Sequence, residues 1–410
     1  MLRCVDYNIC SVNNRIRIFD IFITTIPERA LHQPPRPGMV VRVPHEGGGY
    51  ILKNFIARLK RRNNKRKTQV MKLPFVPKRV IFEKEALQYP LGEKLWGYFR
   101  DQGVETGFAT THNRITTIPG KTPAEGYFEG KRTLVVGVRR TLKFETCKPS
   151  AHFQLPLATS CPGKCEYCYL LTNLGKKPYL RVYVNIDEIL AAARDYIEKR
   201  KPEVTVFEGA ATSDPVAVEP YTGLLGRAIE FFGAQEYGRF RFVTKFTDVD
   251  SLLDVPHHGH TRFRFSINAR QVIDRFEHAT PSLPERLTAA QKVAAAGYPL
   301  GFLVAPIIAE KGWQESYREL FQTLAAGFGH ASGLTFEFIT HRFTKRAKAN
   351  ILEVFPGTGL SLDEEARTFK FGQFGYGKYV YPGELLKEIR AEFEVMAKEF
   401  FPGAEVKYFV

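Results

Sequence analysis

The sequence predicts an α/β fold, a partial six-stranded (β/α)6 TIM-like barrel with N- and C-terminal additions. Short strand-like runs recur at Phe153–Ala158, Val204–Glu208, Arg239–Thr244, Arg262–Ile267, Leu300–Ala305 and Leu334–Ile339. Amphipathic helical patterns lie between several of them, at Ile186–Lys199, Gly223–Phe232, Pro284–Ala296 and Glu315–Ala326. Such alternation indicates βα units on a parallel sheet. Six strands fall two units short of a closed eight-unit barrel. A flat, doubly wound sheet stays open as the alternative, because periodicity does not report curvature.

Ahead of the barrel, residues 71–150 read as an α+β segment, with a helix near Pro90–Gln102 and a strand at Thr133–Val138. The barrel itself is expected over 151–345. Residues 346–410 read as a C-terminal segment with an aromatic and basic hairpin, Phe369–Tyr381, then a helix (Glu384–Phe400) and a strand (Glu405–Phe409). Residues 1–70 differ in kind. They hold a Pro-rich stretch, a Gly triplet and the basic run Lys60–Lys67, with weak periodicity. A poorly ordered extension is expected there, either a DNA-binding arm or an artefact ahead of a body that starts near Met71.

The formal charge of +16 is unevenly spread. Residues 1–70 carry 14 Lys and Arg against 4 Asp and Glu, so the body is only mildly basic. That balance permits nucleic-acid binding without requiring it. No apolar run is long enough to span a membrane, and no signal peptide is evident, so a cytoplasmic protein is expected.

The chemistry is concentrated in Ser160-Cys-Pro-Gly-Lys-Cys-Glu-Tyr-Cys-Tyr169. Cys161, Cys165 and Cys168 are too close for a disulfide framework and suit metal ligation in a reducing compartment. Three thiolates can hold three irons of a 4Fe–4S cluster and leave the fourth iron open. An open iron can bind the amino and carboxylate groups of S-adenosylmethionine (SAM). The bland alternative is a structural zinc site with Cys147 or His152 as fourth ligand, although no second Cys or His pair is present.

This Cys-x3-Cys-x2-Cys spacing, with Tyr167 before the last cysteine, resembles the radical SAM superfamily. Longer blocks narrow the resemblance. Phe75–Val80, Cys161–Leu171, Phe207-Glu-Gly-Ala-Ala-Thr-Ser-Asp-Pro215 and Arg262-Phe-Arg-Phe-Ser-Ile-Asn268 are similar to spore photoproduct lyases, over about residues 72–410. The resemblance implies a lyase that uses a 4Fe–4S cluster and a 5′-deoxyadenosyl radical from SAM to revert the spore photoproduct in DNA to two thymines. Its partners would be damaged double-stranded DNA and a one-electron donor of ferredoxin or flavodoxin type. SAM contacts are expected from Gly209, Ala210 and Ser213 after the second strand, and from Lys245, Ser266 and Asn268 at the next two strand ends. Phosphate contacts are expected from His341, Arg342 and Lys345, and from Lys370, Tyr376 and Lys378 of the hairpin. The base must leave the stack to be reached.

One residue departs from the family pattern. Ala211 stands where the family carries a cysteine that gives a hydrogen atom to the thymine methyl radical, with Tyr167 and Tyr169 as candidates to relay the radical back. Alanine has no such hydrogen, so a chain that binds cluster, SAM and lesion but repairs poorly is expected. Two readings of Ala211 stay open: an engineered exchange, or natural divergence with another donor. Other functions that fit are a radical SAM enzyme acting on RNA or peptide, and a zinc-stabilised nucleic-acid-binding module.

Overall fold

The computed structural model describes residues 75–112, 115–329, 331–371 and 377–410. The expectations for residues 1–70, and for Tyr376, lie outside the described residues. In chain order the first strands are β1 (Arg79–Phe82), β2 (Glu105–Phe108), β3 (Thr133–Gly137), β4 (Thr146–Cys147), β5 (Ala151–Gln154) and β6 (Ala158–Thr159). Then come β7 (Lys164–Cys165), β8 (Leu180–Tyr183), β9 (Thr205–Glu208), β10 (Gly238–Thr244), β11 (Thr261–Ile267) and β12 (Glu277–His278). The last are β13 (Leu300–Ile307), β14 (Thr335–Thr340), the hairpin β15 (Thr368–Phe371) and β16 (Gly377–Val380), and β17 (Glu405–Phe409).

The six expected barrel strands correspond to β5, β9, β10, β11, β13 and β14. They are neighbours in chain order and parallel throughout, as successive βα units require. The sheet continues past both ends of that set. β17 joins in parallel beyond β14, and β4 pairs antiparallel outside β5. The C-terminal strand is thus part of the barrel sheet rather than of a separate segment.

Strand alternation explains both faces. On β11, Phe263 and Phe265 turn to the helices, while Arg262, Arg264 and Ser266 share the other face. β10 places Phe240 and Phe242 against Arg241, and β14 places Phe336 and Phe338 against Glu337. The helices that cover the aromatic face begin where the chain supplies caps. Ser282 forms a capping box with Glu285 at the start of Leu283–Ala295. The opposite face is charged. Arg264 pairs with Glu208 and, at 2.6 Å, with Glu337, and Arg241 also pairs with Glu337. Tyr408 of β17 donates to Glu337 at 2.8 Å. β10 and β14 stand three strand spacings apart, about 14 Å on a flat sheet. An ion pair between their side chains closes on the concave side of a curled sheet, so curvature decides for the partial barrel over the flat alternative.

Two expectations change. The run Phe153–Ala158 divides around Pro156, which has no N–H for a ladder. β5 stays in the barrel, whereas β6 crosses to a second sheet, β2-β1-β3-β8-β6, and pairs antiparallel with β8. The boundary drawn at 150 also fails to follow the sheets, because β6 and β8 belong with the strands of the N-terminal segment. Periodicity marks a strand without marking its partner.

The interior ion network generates a stability prediction. Glu337→Ala leaves two buried guanidinium groups short of a counter-charge and should cost about 3–5 kcal/mol. The check is the urea midpoint at unchanged slope, and Glu337→Met combined with Arg264→Met should cost less than the single exchange.

Candidate active site

The cysteine loop is pinned at both ends. Ser160 N–H donates to Thr212 O (2.7 Å), and Ser160 Oγ donates to Pro178 O (2.9 Å). Lys131 Nζ donates to Cys161 O at 2.9 Å. Further on, β7 pairs with β12, so Cys165 faces Glu277 and Lys164 faces His278. Glu166 accepts from His278 Nε2 at 2.7 Å and from the Thr358 hydroxyl. Gly163 lies against Thr280 and the Cys161 sulfur, and a Cβ there would meet Thr280 Cγ2 at 3.1 Å.

Cys161, Cys165 and Cys168 line one cavity of about 460 Å³ at the C-terminal ends of the barrel strands. Burial pushes the Cys161 thiol up to about 11, against the pull of Lys131. Burial raises Cys165 as well, with Lys245 pulling the other way. Among the described residues, no three His, Cys, Asp or Glu side chains converge as a site for one metal ion. Three thiols that share a wall without converging fit a cluster, where each binds a different iron.

The opposite wall comes from strand ends. Ala210, Ser213 and Asp214 follow β9, Lys245 follows β10, and Ser266 lies near the end of β11. Lys245 Nζ donates to Ser266 Oγ (2.8 Å) and to Glu277 Oε1 (3.2 Å). Tyr167 also donates to Glu277, and Arg286 donates to its other oxygen at 2.6 Å. Burial opposes the charge on Glu277, but Lys245 and Arg286 outweigh it and hold the carboxyl below its usual range. Asp214 accepts from the Lys245 N–H and from Thr244 Oγ1, both at 2.8 Å, and burial pushes it up to about 6.

Not every expected residue reaches this cavity. Gly209 is small for a different reason from ligand approach: a Cβ there would meet Phe240 Cζ at 2.5 Å, so the glycine makes room for the core. Asn268 is buried beneath the site. Its amide donates to Pro306 O (2.7 Å) and accepts from the Ala269 N–H and the Tyr317 hydroxyl. Ala211 is outside the lining, and its carbonyl accepts from Tyr169. Tyr169 is itself 54% exposed and lines the cavity.

The expected phosphate contacts separate. His341 lines the cavity but is buried, and that burial pushes it down to about 3, aided by Arg367. A neutral His341 brings no positive charge to a phosphate. Lys345 is exposed and lies 3.8 Å from Glu364. Arg342 is exposed at the cavity rim. Lys370 and Lys378 are cross-strand partners on the hairpin, beside Phe371, which is 78% exposed. Burial lowers the Lys378 pKa, and Arg342 and Lys370 lower it further, so these three cations lie near one another.

Sequence reading missed Glu277, Arg286 and Lys131. None carries a local signal: Lys131 and Glu277 act on Cys161 and Lys245, 30 and 32 residues away, and Arg286 acts through Glu277. Asp214 did carry one, as the neighbour of Ser213 at a strand end.

Comparisons with known proteins bear on this geometry. A family model described as spore photoproduct lyase matches residues 75–410. Spore photoproduct lyase of Geobacillus sp. is 54% identical over 338 residues, covering 82% of this chain and 99% of that protein. That of Bacillus subtilis is 50% identical over 341 residues, covering 83% and 100%. Among solved structures, a spore photoproduct lyase double variant with bound AdoMet and dinucleoside spore photoproduct superposes with a TM-score of 0.81. It is 55% identical, and the match covers 82% of this chain and 100% of that chain. Its two exchanges are cysteine to alanine and serine to cysteine. A tyrosine-to-phenylalanine variant superposes with a TM-score of 0.80. With the cysteine loop, the strand-end wall and these matches together, the chain belongs to the spore photoproduct lyase family.

Proposed function

We propose that this chain is a radical SAM DNA-repair lyase that reverts the spore photoproduct to two thymines. One observation carries the reading: Cys161, Cys165 and Cys168 share a cavity with Lys245, Ser266, Ala210 and Ser213. The three cysteines would hold a 4Fe–4S cluster. Lys245, with Ser266 beside it, would hold the SAM carboxylate as a charge-assisted hydrogen-bond pair. When bound, the cluster and SAM supply one-electron carbon–sulfur cleavage and, through it, removal of a hydrogen atom from the lesion. A ferredoxin- or flavodoxin-type protein would deliver the electron.

The chain's own residues do the positioning. Glu277 and Arg286 brace Lys245 from below, which keeps its ammonium directed at the cavity. Arg342, Lys370 and Lys378 have no ion-pair partner among the described residues and suit phosphates beside the cavity mouth. Exposed Phe371 on the same hairpin suits a wedge that helps a base leave the stack.

The exchanged positions in the solved variants also map by spacing. The introduced cysteine of the AdoMet-bound double variant precedes its alanine by as many residues as Cys147 precedes Ala211 here. The tyrosine exchange in the other variant has the spacing of Tyr169 from Ala211.

The test is anaerobic reconstitution with iron and sulfide, reduction, and incubation of SAM with an oligonucleotide carrying the lesion. Lesion-dependent formation of 5′-deoxyadenosine together with loss of the lesion is expected. SAM cleavage with an untouched lesion would move the substrate to RNA or peptide. Lys245→Ala should raise the KM for SAM by about 10–100-fold, as loss of a charged hydrogen bond does, with the cluster's visible absorption unchanged. Lys370→Ala with Lys378→Ala should weaken DNA binding and reduce the slope of log K against log salt by about 2.

A further inference from the structure

We propose that the surface beside the cysteine loop, where Lys78, Arg132 and Lys164 surround Phe128 and Phe355, docks an acidic protein that carries one electron. The proposal rests on the function proposed above, which needs an electron from outside the chain. In that function the cavity mouth is taken by SAM and the lesion, so a carrier of protein size needs another approach. Lys164 marks one. It stands next to Cys165 and three positions after Cys161, yet it is absent from the cavity lining to which both cysteines contribute. Lys78, Phe128, Arg132 and Phe355 are absent from that lining as well. A partner seated on Lys164 is therefore one residue from a cluster ligand without entering the cavity.

The patch has an apolar centre. Lys164 Nζ lies 5.3 Å from the centroid of the Phe128 ring, which belongs to the helix Pro123–Lys131. Phe128 meets Phe355 edge to face at 6.0 Å, and both rings stay partly in solvent. His278, the cross-strand partner of Lys164, lies 6.2 Å from Phe355 and is 44% exposed. Rings flanked by charged groups are the make-up of a protein interface, with an apolar middle and a polar rim.

The rim is mostly positive. Arg132 follows Phe128 by one helical turn, and its side chain is 53% exposed. The Lys78 N–H donates to Arg132 O at 2.8 Å, and the Lys78 side chain is equally exposed. One carboxylate, Glu129, is shared among Lys78 (3.3 Å), Arg79 (2.7 Å) and Arg132 (3.6 Å), while Arg79 also meets Glu105 at 3.6 Å. Arg132 and Lys131 act electrostatically on the Lys164 ammonium, and no carboxylate offsets them. Cations in excess at a surface steer an acidic partner and speed its encounter at low salt. DNA is the competing polyanion, but Arg342, Lys370 and Lys378 serve it at the cavity mouth. At the patch the carrier gives up one electron to the cluster and is oxidised by one unit, with no bond made or broken.

The experiment compares the reconstituted full chain with Lys78→Gln/Arg132→Gln, using flavodoxin as the acidic carrier and dithionite as a reductant that needs no docking surface. Arg79 keeps Glu129 paired in the double variant, so the fold is retained. The Kd for flavodoxin, measured by titration at low salt, should rise about tenfold and lose most of its salt dependence. Lesion-dependent 5′-deoxyadenosine formed with subsaturating reduced flavodoxin should fall by a similar factor. With dithionite it should be unchanged, as should cluster absorption and affinity for lesion DNA. An unchanged flavodoxin Kd in the variant overturns the proposal, and so does a parent that turns over with dithionite but does not bind flavodoxin. An equal loss with both reductants overturns it too, because the two residues would then serve the fold or the site. Weaker binding of lesion DNA assigns the patch to DNA instead. A parent that forms no lesion-dependent 5′-deoxyadenosine with dithionite overturns the function itself.

Discussion

The interior of the curled sheet is organised by charge, and the site depends on it. Glu208, Arg241, Arg264 and Glu337 come from β9, β10, β11 and β14, and each needs the others to be tolerable in a buried position. Such a network stabilises little beyond an apolar core, but it has few alternative arrangements. It ties strands that are not neighbours, which holds the curvature. It also fixes the loops beyond them, because Glu208 reaches both Ser150 and the Ala210 N–H.

A second knot sits nearer the mouth. Lys245, Glu277, Arg286, Tyr167 and Ser266 form a chain of hydrogen bonds from the barrel wall to the cysteine loop. Glu277 is paired in register with Cys165, so the loop and the strand ends are located by one carboxylate. The cavity between them is therefore bounded by groups whose positions are set from below, as a site that positions reactive atoms requires.

The cysteine spacing was legible in the sequence because ligation is local: three thiols within eight residues carry their meaning wherever the chain goes. The strands were legible for the same kind of reason, since alternation is a property of consecutive residues. Lys245 and Ser266 could be placed because strand ends of a parallel barrel face one side. Gly209 and Asn268 could not be judged. Their neighbours Phe240, Pro306 and Tyr317 arrive from elsewhere in the chain. The charge state of His341 could not be judged either, because charge depends on burial, and burial is not written in a residue's flanking sequence.

The sequence by itself determined the α/β pattern and the cysteine motif, each encoded in residue type and short-range spacing, and its resemblance to the family marked Ala211 as standing where a cysteine is expected. The tertiary structure alone decided which sheet took β6, β8 and β17, that the interior would be charged, and that Ser150 and Ala210 would share the Glu208 carboxylate. Those outcomes rest on pairing between distant segments, where the energy of a contact depends on both partners and on the solvent they exclude.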